Sequence, residues 1–491
     1  MNQPTTPSQL APPPADAPMG RGALEASQPP TIRAPLSLGP RSAGIRFKLR
    51  SSGVEAGLRL GVCVATIAVD HGIGALVDRF SSAASRERRR EARLLRSATR
   101  LARVFGRLKG AFAKAGQLAS LRIDVLPPAV RGELASLRDR VPPLPFSEIR
   151  PAVESALGRP LEEAFSSFES EPIGAASVAQ VHRAELHDGR PVAVKVRYPW
   201  AARSLASDLR MLERLIGLWV RWGPGPPISP ERLVEELAQS LEAELDFDNE
   251  ARVAREVAAN LAGDPRISVP LPIPSHSCSA LLTVEYRDAI SVGDRVGLRA
   301  RGIDPAEVLG VLVRAYAKQI FVDGLFHADP HPGNLFVLDE PEARERPRVL
   351  FVDFGLSQRL TPDLRREMRR GIYALLQRDP AAFVARMDAM GMIAPGAEAE
   401  VRVAIEAMFA RMASSGPGQS QPAVSGSQVL QLKDEAKRLL QATPGVQLPH
   451  ELLLYAKTLS YLFALGAELA PEVDVLELSL PHLLRFLATR D

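Results

Sequence analysis

The chain has 491 residues, too many for one ordinary domain, with 46% hydrophobic and 24% charged residues. Those fractions exclude a collagenous, a wholly disordered or a polytopic membrane protein. Sixty-one Lys and Arg against 57 Asp and Glu leave a net charge of +4, which argues against a dedicated nucleic-acid binder.

Residues 1–45 hold ten prolines by position 40 and almost no aliphatic periodicity, so they read as a disordered tail. The opening MNQPTTPSQL has neither the basic start nor the apolar core of a secretory signal. A helix is expected over 53–80. Its most apolar run, Leu60–Val69, is bounded by Arg59 and by Asp70–His71. At ten residues it is about half of what a membrane span needs. The expectation is therefore a cytoplasmic protein with no transmembrane segment, free to touch the inner face of a membrane from the side. Cys63 and Cys278 are too few for a disulfide framework, and neither sits in a C-x-x-C or Cys/His cluster. A reducing compartment fits.

From Arg86 to Lys109 the local charge excess is +8, and Leu94, Leu95, Ala98, Leu101, Ala102, Phe105 and Leu108 recur at helical spacing. Three readings stand: a solvated basic face, a surface for anionic lipid headgroups, or a nucleic-acid contact. The helical pattern runs on to about Arg138. Within it, LKGAFAKAGQLASLR places Gly116 in mid-helix, which costs about 1 kcal/mol relative to Ala. Lys114 and Gln117, three apart, project together. Such a notch flanked by two long polar side chains suits close docking on another surface, or a plain helix crossing.

Another helical stretch is expected over 147–169, and at 172 the texture turns to short strands. The small-residue loop Gly174–Ala175–Ala176–Ser177 lies between two of them, and Lys195 ends the tetrapeptide VAVK on the third. In a kinase a flexible loop of this kind covers ATP phosphates, and the strand lysine neutralises them. Val178, just past the loop, and Glu285, near the end of a strand at 281–286, complete the expected nucleotide-binding set. Long helices follow at 202–222 and 230–260. Glu213 and Glu250 both compete as the carboxylate that orients Lys195. Asp246 and Glu250, at i and i+4, are expected to share a helix face.

A helix at 305–323 leads into GLFHADPHPGNLFVL. Asp329 and Asn334 stand five apart, the spacing of a kinase catalytic loop, with Asp329 as the catalytic carboxylate and Asn334 as a Mg²⁺ ligand. A capped turn, or a His327/His331 metal site, are the alternatives. Nineteen residues after Asn334, VLFVDFG delivers Asp353, the second expected Mg²⁺ ligand. Beyond 360 the chain reads helical, apart from a flexible linker at 414–428.

Taken together, KAGQ at 114–117, LPPAVRGELASLRDRVPPLP, IGAASVAQVHRAEL, VAVKV, ELDFDNEA, FHADPHPGN and DFG resemble the ubiquinone-biosynthesis family of atypical kinases, the UbiB or AarF group. The resemblance covers about 105–360. It implies that an Ala-rich loop replaces the Gly-rich one, that Lys114, Gly116 and Gln117 form a K-x-G-Q motif, and that Glu244 and Asp246 form its E-x-D partner. It also implies that Glu250 pairs with Lys195, and that the N-terminal extension folds over the nucleotide cleft and limits access. The family's role is ATP hydrolysis or phosphoryl transfer in support of isoprenoid-quinone or other lipid metabolism. A small-molecule phosphotransferase of the aminoglycoside or choline kinase type, and an ATP-binding scaffold without turnover, are the rival readings.

The expected fold is α+β: a bilobal protein-kinase-like domain with a helical N-terminal extension and a helical C-terminal tail. The expected boundaries are 46–146 for the extension, 147–287 and 288–413 for the two lobes, and 429–491 for the C-terminal helices. ATP and Mg²⁺ are the expected cofactors. Anionic lipid or quinone-pathway lipids and proteins are the expected partners.

Overall fold

A computed structural model describes residues 53–79, 82–121, 128–135, 143–222, 230–414, 443 and 445–489. The expected 1–45 tail and all of the 414–428 linker but Ser414 lie outside them.

Ahead of the first sheet come α1 (Gly53–Asp78), α2 (Ala83–Leu108), α3 (Gly110–Leu121), α4 (Pro128–Ala135), α5 (Phe146–Leu157) and α6 (Leu161–Ala164). The pattern expected to be one helix past Arg86 breaks at Lys109, which adopts φ 59°. Asp78 takes an ion pair from Arg93, and Asp70 takes Arg96 and Arg100, so α2 is riveted along α1. The helix expected over 147–169 also breaks. Gly158 closes α5 in the left-handed conformation, and Pro160 starts the short α6.

Strands β1 (Ser167–Ala175), β2 (Ala179–Glu185) and β3 (Pro191–Arg197) follow, so the sheet begins before residue 172. With β5 (Leu281–Glu285) they form an antiparallel sheet in the order β1-β2-β3-β5. Alternation explains it. Val192, Val194 and Val196 are buried on one face, against Ile149 and Val153 of α5, and Lys195 stands on the other. Between β3 and β5 lie α7 (Ala201–Trp222), α8 (Pro230–Leu245), α9 (Phe247–Leu261) and β4 (Ile267–Ser268). The expected 230–260 helix is thus two. Asp246 leaves helical backbone and caps α9, its Oδ1 accepting from Asn249 N at 2.9 Å. Such a cap stabilises by about 1 kcal/mol.

The second half holds β6 (Ala289–Ser291), α10 (Arg295–Ala300), α11 (Pro305–Ala317), β7 (Leu325–His327), β8 (Leu335–Leu338), β9 (Val349–Phe351) and β10 (Ser357–Arg359). One sheet runs β4-β9-β8-β6, and β7 pairs with β10. The helical path of α11 widens to π pitch over Lys318–Asp323. Helices α12 (Pro362–Leu376), α13 (Pro380–Ala389), α14 (Glu398–Ser414), α15 (His450–Leu469) and α16 (Val475–Ala488) complete the described chain. The core here joins α9, α11, β8 and β9 to Leu462, Leu465 and Leu469 of α15.

The apolar length of α1 exceeds the ten-residue run read from the sequence. It continues through Asp70 and His71, and within Gly57–Asp78 an 18-residue window reaches mean hydropathy 1.8, long and apolar enough to cross a membrane by length and composition. Only 17% of that window is buried. His450–Leu469 also passes by length and composition, and half of it is buried.

Candidate active site

Lys195 lies in mid-strand, between Val181 of β2 and Leu282 of β5. Its Nζ is 2.9 Å from both carboxylate oxygens of Glu250 and 3.0 Å from Asp353 Oδ1. The Phe247 ring lies 5.3 Å from the ammonium. Glu250 is 3% exposed in the first turn of α9, so the Asp246 cap is what starts the helix that carries it. Glu213, the rival by spacing, is exposed on α7. Burial would push Lys195 down, but Asp353 and Glu250 more than reverse this and hold it charged. Burial pushes Glu250 up to about 7, against the pull of Lys195. Burial also opposes ionisation of Asp353, but Lys195 outweighs it and keeps that carboxyl below its usual range.

Asp353 has φ 62°, a left-handed backbone that costs a non-glycine residue about 1–3 kcal/mol. The surrounding structure enforces it. Phe354 is buried in the core. His327 Nε2 donates to the Val352 and Asp353 carbonyls at 3.1 and 2.9 Å. His327 Nδ1 accepts from the Asp329 N–H at 3.3 Å, and the Tyr316 hydroxyl lies 3.3 Å away. One buried imidazole therefore joins the two carboxylate loops. With both nitrogens engaged, His327 is no metal ligand. His331 Nδ1 accepts from Gly333 N and shapes the turn.

Asn334 Nδ2 donates to Asp329 Oδ2 at 3.0 Å and to the Asp329 carbonyl at 3.2 Å. That fixes the amide and leaves its Oδ1 as the oxygen able to face a cation. Among the described residues no group of three or more His, Cys, Asp or Glu could hold a metal alone. Asn334 and Asp353 are hard oxygen donors, and such a pair suits Mg²⁺ that takes its remaining ligands from phosphate and water. Lys457 of α15 was not singled out from the sequence. Its Nζ sits 2.9 Å from Asp329 Oδ1. The available signal was one lysine inside the otherwise apolar HELLLYAKTLSYLFALGAEL.

A second cluster centres on Glu244 of α8. Lys114 Nζ pairs with its Oε2 at 2.7 Å, and Ser177 Oγ donates to its Oε1 at 2.7 Å. Gly110 N, at the start of α3, donates to the Ser177 carbonyl at 3.1 Å. The extension thus docks on the Ala-rich loop. Gly116 is buried and Gln117 half-buried on the same helix. Asp246 does not join them. Its side chain caps α9, so the expected shared face of Asp246 and Glu250 is corrected: Asp246 lies outside the helix.

Gly174 and Ala175 end β1, and Ala176 N donates to Ala179 O at 2.8 Å, closing the loop. Two expected nucleotide-binding residues sit elsewhere. Val178 packs with Val192, Val194 and Val196, on the face away from Lys195. Ala179 takes the cleft side, with Phe247, Ala251 and Leu282. Glu285 pairs with Val192, also on the register face away from Lys195. It borders a cavity of about 250 Å³ with Leu261, Ile267 and Arg287, which includes none of Lys195, Asp329, Asn334 or Asp353.

Residues 136–387 match the family described as the ABC1 atypical kinase-like domain. The chain is 33% identical over 385 residues to a protein of Xylella fastidiosa named probable protein kinase UbiB, a match that covers 77% of this chain and 68% of that one. It is 31% identical over 397 residues to one of the same name from Aeromonas hydrophila, covering 79% and 70%. A solved structure, the complex of Rv3197 with erythromycin from Mycobacterium tuberculosis, is 24% identical with a TM-score of 0.43, covering 75% of this chain and 94% of that one.

Proposed function

The chain belongs to the ABC1 atypical kinase-like family, in company with relatives named as UbiB protein kinases, and from that premise we propose that it binds Mg-ATP and transfers or hydrolyses the terminal phosphoryl group. One observation carries this reading: Lys195, Glu250, Asp353, Asp329 and Asn334 converge from four separate segments on one place. Phosphoryl transfer asks the protein for positioning and charge rather than covalent chemistry. Lys195, kept charged and aimed by Glu250, exchanges Asp353 for phosphate oxygens. Asn334 and Asp353 would hold a divalent metal, which would supply charge neutralisation to the phosphates when bound. Asp329 orients the attacking hydroxyl or water and takes its proton.

The wider role we propose is support of isoprenoid-quinone or other lipid metabolism, with an anionic membrane surface as partner. The exposed apolar side of α1 and the exposed arginines at the start of α2 favour that partner.

Phosphate release from Mg-ATP, with and without anionic vesicles and a phenolic quinone precursor, tests the activity. Calorimetric titration of Asp353→Asn tests the site. Loss of a metal ligand should weaken Mg-ATP binding by about tenfold or more. Unchanged affinity in that variant removes the reading.

A further inference from the structure

The catalytic-loop run His327–Asn334, HADPHPGN, contains no Lys or Arg. Yet the carboxylate at its centre is not left without a cation. Lys457 reaches Asp329 Oδ1 from α15, far along the chain and outside the matched residues 136–387. The ammonium is buried, at 7% residue exposure. A buried lysine is costly unless paired, so its placement against Asp329 is specific. The helix around it is anchored. Leu452 and Leu454 pack in one core cluster, and Leu462, Leu465 and Leu469 in another. Thr458, fully buried, donates to the Leu454 carbonyl at 2.8 Å.

Asn334 holds the other carboxylate oxygen at 3.0 Å. The two contacts together fix the plane of the Asp329 carboxylate. They leave Lys195 for Glu250 and Asp353, and Lys457 for Asp329, so three carboxylates share two lysines drawn from the two halves of the chain.

We propose that Lys457 is a positioning residue for Asp329, supplied by the C-terminal helix to complete an active site that the matched domain alone leaves without this cation. The inference rests on the phosphoryl-transfer reading above. Lys457 holds the Asp329 carboxylate turned toward the attacking group, and it adds a positive charge where the phosphoryl group's negative charge gathers.

The test uses the full chain, as wild type, Lys457→Met and Lys457→Arg. Phosphate release gives kcat and KM, calorimetry gives Mg-ATP affinity, and thermal unfolding gives stability. Lys457→Met should keep Mg-ATP affinity within about twofold and lose about 10- to 100-fold in kcat. Lys457→Arg should restore most of the lost kcat. An unchanged kcat in Lys457→Met overturns the proposal. So does a loss of affinity that tracks a loss of thermal stability, which marks a structural lysine. If the wild type proves not to turn over ATP, the phosphoryl-transfer reading fails on its own. A crystal structure of Lys457→Met then decides: an Asp329 carboxylate that keeps its wild-type orientation overturns the positioning role.

Discussion

His327 lies at 0% exposure between the loops that carry Asp329 and Asp353, and its protonation is set by what surrounds it. Nε2 faces two carbonyls and must carry the proton, while Nδ1 accepts from a backbone N–H. The ring is therefore neutral. Burial lowers its pKa below 6.5, and the attraction of Asp329 and Asp353 only partly opposes this. His182, fully buried beside Gln180, is shifted down by burial in the same way. The unfolded chain then takes up protons at a higher pH than the folded one. The share of stability linked to these rings is whole above about 6.5 and falls as pH drops from there toward the lower folded values, while Glu250, raised by burial, works the other way over the same range. The slope is at most about 1.4 kcal/mol per pH unit for each such ring. Urea midpoints at several pH values should fall on the acid side, and His327→Gln should show a shallower fall whatever its stability at neutral pH. An equal slope in the variant would put the proton uptake elsewhere.

At the scale of elements, Glu244 joins three of them: α8, which carries it, α3 through Lys114, and the β1–β2 loop through Ser177. The pair with Lys114 is mostly shielded, at 13% and 18% side-chain exposure, so it is coupled more strongly than a surface ion pair. The backbone hydrogen bond from Gly110 to Ser177 sets the start of α3 beside the loop. Gly110 has φ 52°, and a Cβ there would stand 3.1 Å from the Trp200 ring, so glycine is required. Removing either charge leaves the other half-buried without its counter-charge. Lys114→Met and Glu244→Gln should each destabilise, and together they should cost less than their sum by about 1–2 kcal/mol. A denaturant double-mutant cycle measures this. Additivity within about 0.5 kcal/mol would reduce the pair to a crossing of two helices.

Across the whole molecule, what could be read from the sequence follows from how local each signal is. The family resemblance and the kinase-like fold are borne out by the matches over 136–387 and along most of the chain. Strand β3 was legible because Val192, Val194 and Val196 alternate with Lys195. Lys457 was not, because nothing within α15 says which distant carboxylate its lysine will meet. The capping role of Asp246 was hidden by continuous helical spacing across two helices. The helix over 53–80 was legible, but its apolar length was undercounted because counting stopped at Asp70 and His71, whereas the helix continues through them and pairs Asp70 with α2. That last correction changes where lipid contact is expected. The apolar stripe of α2 is turned largely inward, with Ala98, Ala102 and Leu108 buried and Leu95 left exposed, so most of it is not free for lipid. Helix α1 supplies the exposed apolar surface instead, through Leu58, Val62, Val69, Ile73 and Leu76, each at least 59% exposed. The exposed Arg86, Arg88, Arg89 and Arg90 of α2 supply the charge. Each contributes about 1 kcal/mol at an anionic surface, and salt screens it. The chain should co-sediment with anionic vesicles at low salt and partly dissociate as salt rises, with a salt-resistant remainder due to α1. Replacing Arg88, Arg89 and Arg90 with Ser should remove the salt-sensitive part, and Val62→Asp with Ile73→Asp the remainder. Equal recovery on neutral and anionic vesicles would strip the arginines of this role, and full binding by the aspartate variant would do the same for α1.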